Sequence, residues 1–127
     1  MTIHLDTSVL IDTFTATRPL LTELIAVVER GEPVTFSSIV LFEWLRGPRT
    51  RAELALQEEV FPGHNAVVFG TAEAVAAARI YTRIRKPRGR EMDIAIAACA
   101  LVHGGALWTL NPEDFRDIPD LRLIPNS

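Results

Sequence analysis

The 127-residue sequence has few of the features that mark secreted or membrane proteins. Its single cysteine, Cys99, excludes a disulfide framework and a metal site built from several cysteines. Its longest uncharged apolar run, residues 94–102, is nine residues long, well short of the about 20 residues that cross a bilayer. The sequence also lacks a basic segment followed by an apolar one near its start. We therefore expect a soluble cytoplasmic protein with no secretion signal.

Positive charge is scarce overall and concentrated in one stretch. With 13 cations against 16 acids the net charge is −3, which excludes a globally basic nucleic-acid-binding protein. Residues 79–90 nevertheless hold six cations and no acid: Arg79, Arg83, Arg85, Lys86, Arg88 and Arg90. This stretch is either a solvated helix end and loop or a surface that faces phosphates or a partner, since guanidinium groups match phosphate and carboxylate geometry.

Short apolar runs alternate with helical patterns along the sequence. Runs bounded by glycine or proline and containing β-branched or aromatic residues predict strands at residues 3–5, 34–36, 66–69, 106–109 and 121–124. Because helices separate these strands, we predict one α/β domain with a mostly parallel five-stranded sheet, flanked by helices on both faces.

Helices are predicted between the strands. Apolar stripes mark residues 20–28 and 72–84, the second with Thr71 as its expected N-cap. Residues 91–103 contain an apolar run too long for a typical strand, which predicts a buried helix. Two more helices are expected, one beginning near Ser8 and one carrying Glu43.

Four acidic residues differ from the many acids on polar helix faces: Asp6, Glu43, Asp93 and Asp114. Glu43 lies between Phe42 and Trp44, so its carboxylate must be paired or poorly hydrated. The other three follow predicted strands or begin a predicted helix, where each has a simpler explanation as a helix or turn cap or as a first-turn acid.

The expected topology brings the four acids together. In a parallel α/β sheet, the carboxyl ends of strands and the amino ends of the following helices share one edge, where ligands bind. Carboxylates held close together repel unless a cation neutralises them, and oxygen ligands without Cys or His favour Mg²⁺ or Mn²⁺ over Zn²⁺. The histidines His4, His64 and His103 have no ligand spacing. Such a site is typical of phosphoryl or phosphodiester transfer.

The segments around these acids resemble, in order and approximate spacing, the motifs of a known family. The segments are LDTSVLID, EWLRG, MDIAIAA and TLNPEDF. The chain resembles PIN-domain ribonucleases and, within them, the small VapC-like toxins of type II toxin-antitoxin pairs, over residues 3–124. The resemblance implies a PIN-like nuclease domain at residues 1–127 that cleaves single-stranded or loop RNA with Mg²⁺ or Mn²⁺. It also implies a homodimer and an antitoxin that holds the enzyme inactive.

The resemblance also implies a role for each acid. Asp6 and Asp93 match direct metal ligands, and Glu43 matches the acid that orients or deprotonates the attacking water. The fourth position is ambiguous between Asn111 and Asp114. We assign it to Asp114, directly or through water, because Asn111 carries no formal charge.

Other polar side chains are expected to support the acids or to bind RNA. Those expected to hold the ligand carboxylates are Thr7, Ser37, Thr109 and Asn111, with ordinary capping as the alternative. Those expected to contact RNA or a partner are Arg46, Arg85, Lys86, Arg88, Arg90 and Arg116, with surface solvation as the alternative.

Three other functions were weighed against a nuclease. A phosphatase of the haloacid-dehalogenase type needs a second Asp where this chain has Ser8, and a site lysine for which Lys86 is the only candidate. A receiver domain needs an acceptor Asp after the third strand, and the segment VVFGTAE has none. The third is a PIN-like module that binds RNA or a partner without cleaving, against which the intact acids argue.

Overall fold

A computed structural model describes residues 1–15 and 20–125 of the chain. Its sheet contains β1 (Ile3–Leu5), β2 (Val34–Thr35) and β3 (Ala106–Trp108), in the order β2-β1-β3 with both pairs parallel. All residues of β1 and β3 are buried, as expected for strands of a parallel sheet that is covered on both faces. The α/β class and the parallel sheet are as predicted.

The prediction of five strands is wrong, because two of the predicted strands pair at one position each. Residues 66–69 contribute one bridge, between Val67 and Ser37, and residues 121–124 contribute one, between Leu123 and Leu107. Each segment exchanges two backbone hydrogen bonds with the sheet edge and then turns away, one into a helix and the other towards Pro125. The sheet therefore has three strands, with a single extra bridge at each edge.

The described residues contain six α-helices. They are α1 (Thr7–Phe14), α2 (Leu21–Glu29), α3 (Ser38–Arg46), α4 (Arg51–Val60), α5 (Thr71–Arg83) and α6 (Glu91–Val102). Short 3₁₀ turns occupy Gly63–Asn65 and Pro112–Asp114. Helix α6 packs against α3, α5 and β3, and its residues 94–100 are all buried, which agrees with the predicted buried helix at residues 91–103.

Helix α4 was not predicted from the sequence. Its start is clear in the structure, because Thr50 Oγ1 accepts from the Glu53 N–H at 3.1 Å and Glu53 Oε1 accepts from the Thr50 N–H at 2.8 Å. Its buried residue is the polar Gln57, which accepts a hydrogen bond from the Trp44 indole at 3.1 Å. Because its buried residue is polar, the apolar pattern of α4 is too weak to predict the helix from the sequence.

Two local predictions on the other helices are also wrong. The N-cap of α5 is Gly70 rather than Thr71, and Glu73 Oε1 accepts from the Gly70 N–H at 3.0 Å. In α2 the buried residues are Leu24 and Val27. Of the predicted stripe, Leu20 and Leu21 are partly buried, whereas Ile25 and Val28 are each 46% exposed. The apolar pattern of α2 therefore extends beyond the core onto the surface.

Within the described residues, no helix has both the length and the apolar character needed to cross a membrane.

Candidate active site

Asp6 follows β1 directly and is oriented by two hydroxyl groups. Its backbone N–H donates to the Trp108 carbonyl at 2.9 Å, which continues the parallel pairing. Its carboxylate does not cap α1; instead Oδ2 accepts from Ser8 Oγ at 2.8 Å and from Thr109 Oγ1 at 2.7 Å. The acid is 6% exposed. Thr109 thus contacts the carboxylate of Asp6.

Ser8 was not among the predicted site residues. Besides donating to Asp6, its Oγ accepts from the Leu110 N–H at 3.0 Å. The hydroxyl therefore connects α1 to the segment after β3. A hydroxyl two residues after an acid at a strand end is the signal that could have found it.

Glu43 lies on α3, facing the amino end of α1. Its Oε1 accepts from Thr7 Oγ1 at 2.6 Å, and its Oε2 lies 3.5 Å from Arg46 Nη2. The carboxylate is thus paired, as its apolar sequence context required. Ser37 caps the helix, because its Oγ accepts from the Val40 N–H at 3.2 Å.

Asp93 lies in the first turn of α6 and is partly buried. The pKa of this carboxyl is raised from 3.8 to about 6, mainly by burial and further by the negative charges of Asp6, Asp114 and Glu43, while Arg90 opposes the shift. A helix amino end alone favours the ionised carboxylate. The charges of Asp6, Asp114 and Glu43 therefore act on Asp93 in addition to its burial, which is the larger cause of the shift.

Asp114 ends the 3₁₀ turn that follows β3, and its side chain is exposed. The turn is anchored by Phe115 and Ile118, which are 2% and 4% exposed. Asn111 is exposed and begins the same turn; its backbone N–H donates to Thr109 Oγ1 at 3.0 Å. The negative charge of Asp114 contributes to the raised pKa of Asp93, so Asp114 acts on the same electrostatic environment as that acid.

Arg90, which the sequence suggested as an RNA contact, is engaged within the protein. Its guanidinium Nη1 and Nη2 donate to Asp117 Oδ2 and Oδ1 at 2.9 and 2.6 Å. Nη2 also donates to the Asp114 carbonyl at 3.0 Å. These contacts leave 23% of the Arg90 side chain exposed, so it is poorly placed to meet a phosphate.

The remaining predicted RNA contacts are exposed. Arg85, Lys86 and Arg88 lie in the loop between α5 and α6. This loop turns at Lys86, with φ 51°, and at Gly89, with φ 85°, a left-handed conformation that suits glycine. Arg46 and Arg116 are also exposed.

The four acids match a metal site in their donor chemistry more closely than in their arrangement. Four carboxylates supply the oxygen donors that Mg²⁺ and Mn²⁺ prefer, and a divalent cation would relieve their repulsion. In the part of the chain that the structure describes, however, no three acidic, His or Cys side chains are arranged so that they could hold an ion as they stand. The oxygen donors therefore match a divalent cation in chemistry, whereas their arrangement would hold one only after the side chains turn.

Comparison with known proteins identifies the family to which this chain belongs. The family model described as "PIN domain" matches residues 3–121. The chain is a PIN-domain protein. The resemblance inferred from the four acidic motifs is thereby confirmed, and the two aspartyl-phosphate alternatives are set aside.

Relatives place this PIN domain beside the VapC proteins. It is 35% identical over 126 residues to "Ribonuclease VapC1" of Rickettsia felis, which covers 84% of this chain and 93% of the relative. In fold it is similar to a solved structure described as VapBC2 from Rickettsia felis bound to a promoter DNA fragment. The TM-score is 0.79 and the identity 18%, with full coverage of both chains. It is also similar to DNA-bound VapBC from Salmonella typhimurium, with TM-score 0.79 and 25% identity over 98% of this chain and 97% of that one.

Proposed function

We propose that this PIN domain is a metal-dependent endoribonuclease that cleaves single-stranded or loop RNA, and that it is the toxin of a toxin-antitoxin pair. The observation that carries the proposal is Asp93, whose pKa is raised to about 6 by burial and by three other carboxylates. A buried acid whose pKa is perturbed by neighbouring charges in this way is characteristic of a catalytic site. The name of the relative VapC1 states a ribonuclease activity.

Each acid has a part in the proposed hydrolysis. Mg²⁺ or Mn²⁺, when bound, would supply Lewis acidity and neutralise charge on the phosphate. Asp6 and Asp93 would hold the ion, with the Asp6 carboxylate oriented by Ser8 and Thr109.

The other two acids complete the proposed site. Glu43, fixed by its 2.6 Å hydrogen bond from Thr7, would orient the attacking water and accept its proton. Asp114 would add a fourth carboxylate, directly or through water.

The test of this proposal uses purified protein freed of any partner. We expect cleavage of single-stranded RNA with Mg²⁺ or Mn²⁺ and none in EDTA. Asp93→Asn should lower the rate at least about 100-fold, because it removes both a ligand and its charge. The matched control is Glu91→Gln, which neutralises an exposed acid on the same helical turn and should leave the rate unchanged. Full activity in EDTA, or in Asp93→Asn, contradicts the proposal; metal-independent RNA binding without cleavage supports the non-cleaving alternative.

The exposed cations are proposed to bind the RNA backbone. Arg46 lies 3.5 Å from Glu43, so a phosphate at Arg46 would lie beside the acids. Arg85, Lys86 and Arg88 are exposed in the loop that leads into α6 and Asp93.

The proposed antitoxin has an apolar surface available to it. A groove of about 400 Å³ lies between α2 and α4, and its walls include Ile25, Val28 and Val60, which are 46%, 46% and 42% exposed. Solved relatives include two-protein VapBC assemblies. We propose that an apolar antitoxin segment covers this groove, since exposed apolar patches of this kind mark partner sites.

Co-expression tests the groove. Val28→Asp should reduce recovery of an adjacently encoded antitoxin with the tagged toxin, because a carboxylate would be buried without a partner. Val102→Asp is the control, since Val102 is similarly exposed at 40% and lies on α6, outside the groove. Equal recovery with both variants contradicts this site.

Two further expectations belong to the same proposal. We propose a homodimer, as the family resemblance implies, to be checked by light scattering of the partner-free protein. We also propose that the protein acts in the cytoplasm, where its RNA substrate is made.

A further inference from the structure

Arg90 connects the start of α6 to the turn that carries Asp114. It is the N-cap residue of α6, three positions before Asp93. Its two-point contact with Asp117 and its hydrogen bond to the Asp114 carbonyl both use the guanidinium group. A fork of this kind fixes orientation as well as distance. The side chain therefore joins the two segments that bring Asp93 and Asp114 to the site.

We propose that Arg90 and Asp117 form a positioning pair that sets Asp114 against Asp93, so that the four acids can converge on one ion. The inference rests on the proposed function. Neither residue would touch the substrate or the ion. Asp117 would hold the guanidinium in place, and the guanidinium would hold the backbone of Asp114 through its carbonyl.

The fork has a purpose beyond attaching the turn to the fold. Phe115 and Ile118 are 2% and 4% exposed, so they already bury this segment in the core. Ion pairs with a partner as exposed as Asp117, at 47%, usually add little to stability. Phe115 and Ile118 fix the turn in the core but do not fix the exact position of Asp114. The Arg90 guanidinium does so, because it holds the Asp114 carbonyl.

The competing role for Arg90 is the RNA contact suggested by the sequence. The two roles make opposite predictions for Asp117. If Arg90 binds RNA, neutralising Asp117 releases the guanidinium and should tighten RNA binding. If the pair positions Asp114, loss of either partner should harm metal binding and turnover together.

Two conservative variants and two controls test the pair. Arg90→Lys keeps the charge but loses the fork, and Asp117→Asn keeps the shape but loses the charge. The controls are Arg122→Lys and Asp120→Asn, which alter exposed residues outside the site. Asp120 has φ 67°, which Asn also adopts readily. Mn²⁺ affinity is measured by thermal shift without RNA, and kcat and apparent KM with a random-sequence single-stranded oligoribonucleotide pool.

We expect each test variant to lose about 10–100-fold in Mn²⁺ affinity, the usual cost of removing a group that orients metal ligands. kcat should fall with little change in KM, and both controls should match wild type. The double variant should be no worse than the poorer single one, because the two residues act through a shared contact.

The outcomes separate this inference from the proposed function. Variants that match their controls overturn the positioning role, and so does tighter RNA binding in Asp117→Asn with normal Mn²⁺ affinity. A wild type that neither binds Mn²⁺ nor cleaves RNA overturns the proposed function, and this inference with it. If Arg90→Lys does not fold, Asp117→Asn decides the question alone.

Discussion

Each end of helix α6 has a partly or fully buried acid beside it, Asp93 on α6 itself and Glu73 on the neighbouring α5, and the two acids differ in their partners. At the amino end, Asp93 faces three other carboxylates, and its pKa is raised to about 6, first by burial and then by their charges. At the carboxyl end, Glu73 of α5 is 7% exposed and lies 3.0 Å from His103 Nε2. The pKa of Glu73 is lowered by its own backbone N–H, by that of Gly70 and by His103, while burial acts in the opposite direction.

The difference separates an acid that serves the fold from acids that do not. The charge of Glu73 is balanced by partners within the chain, the Gly70 N–H and His103. The folded protein therefore needs no added cation at this end of α6. The amino end of α6 has Arg90 as a counter-charge, and that guanidinium is itself engaged by Asp117. A fold that tolerates such repulsion is typical of a functional site, where stability is sacrificed for chemistry.

The largest expected effect concerns metal binding at the amino end. Asp93→Ala should leave the metal-free protein as stable as wild type or more stable, because it removes like-charge repulsion. Mn²⁺ at a hundredfold excess over Kd should stabilise wild type by about 2.7 kcal/mol and the variant far less. Thermal melts in EDTA and in Mn²⁺ measure both. If the variant is destabilised in EDTA yet gains as much from Mn²⁺ as wild type, Asp93 is a helix-end residue only.

Removing the acid beside the carboxyl end of α6 should destabilise the metal-free protein, the opposite of the effect expected at the amino end. Glu73→Ala removes the partners of His103 and of the Gly70 N–H, so the melting temperature should fall by several degrees in EDTA. The Mn²⁺ response should remain. Glu91→Ala, at an exposed first-turn acid of α6, is the control and should change the melting temperature less. If the Glu73 variant melts at the same temperature as wild type, the partners of Glu73 do not stabilise the fold, and the contrast with Asp93 is contradicted.

The pH dependence of metal-free stability should reveal two opposing groups. The pKa of Asp93 is raised to about 6 in the folded protein, so its contribution to stability is present at low pH and is lost as pH rises through about 6. The pKa of His4 is lowered to about 4 by burial and by His103. Its contribution is therefore lost as pH falls from about 6.5 towards 4.

Single variants should separate these slopes in urea unfolding between pH 4 and 7. Relative to wild type, Asp93→Asn should make stability rise more steeply with pH. His4→Leu should make it rise less steeply, and it also removes a buried ring with both nitrogens unpartnered. Parallel curves for all three proteins would contradict the assignment of these groups.

The smallest expected effect is on RNA binding by the exposed loop. Replacing Arg85, Lys86 and Arg88 with Gln should weaken binding to single-stranded RNA and flatten its salt dependence by about 0.7 in the log–log slope per lost phosphate contact. The measurement uses Asp93→Asn as background, so that cleavage does not interfere. An unchanged slope would return the loop to the solvated-surface interpretation.

The order of elements is what allowed the sequence to predict a common edge for the four acids. Acids after strands and at the starts of helices share an edge whatever the side-chain detail, so Asp6 and Asp93 could be assigned to one site without coordinates. The buried α6 was equally clear, because nine uncharged apolar residues suit the interior of a sheet-and-helix fold. The order of strands and helices and the position of apolar runs are sufficient for predictions of this kind.

Predictions that depend on pairing between distant residues were less successful. Nothing in the sequence shows that Arg90 meets Asp117, 27 positions later. The apolar runs at residues 66–69 and 121–124 have strand composition, yet each meets the sheet edge at one position. In α4 the buried position is occupied by the polar Gln57, so the sequence shows no apolar periodicity there. Gln57 can be buried because it accepts a hydrogen bond from Trp44, which the sequence does not reveal.

The central position of β1 in the sheet also governs when the site can exist during synthesis. Asp6 receives one of its hydroxyl contacts from Thr109, which the ribosome adds 103 positions later. The sheet lacks one side until β3 emerges, and closing a contact over so many residues costs more chain entropy than closing a local one. A nascent chain therefore cannot assemble the acid cluster, so a nuclease built this way would remain harmless to RNA near the ribosome until almost all of the described chain has been made.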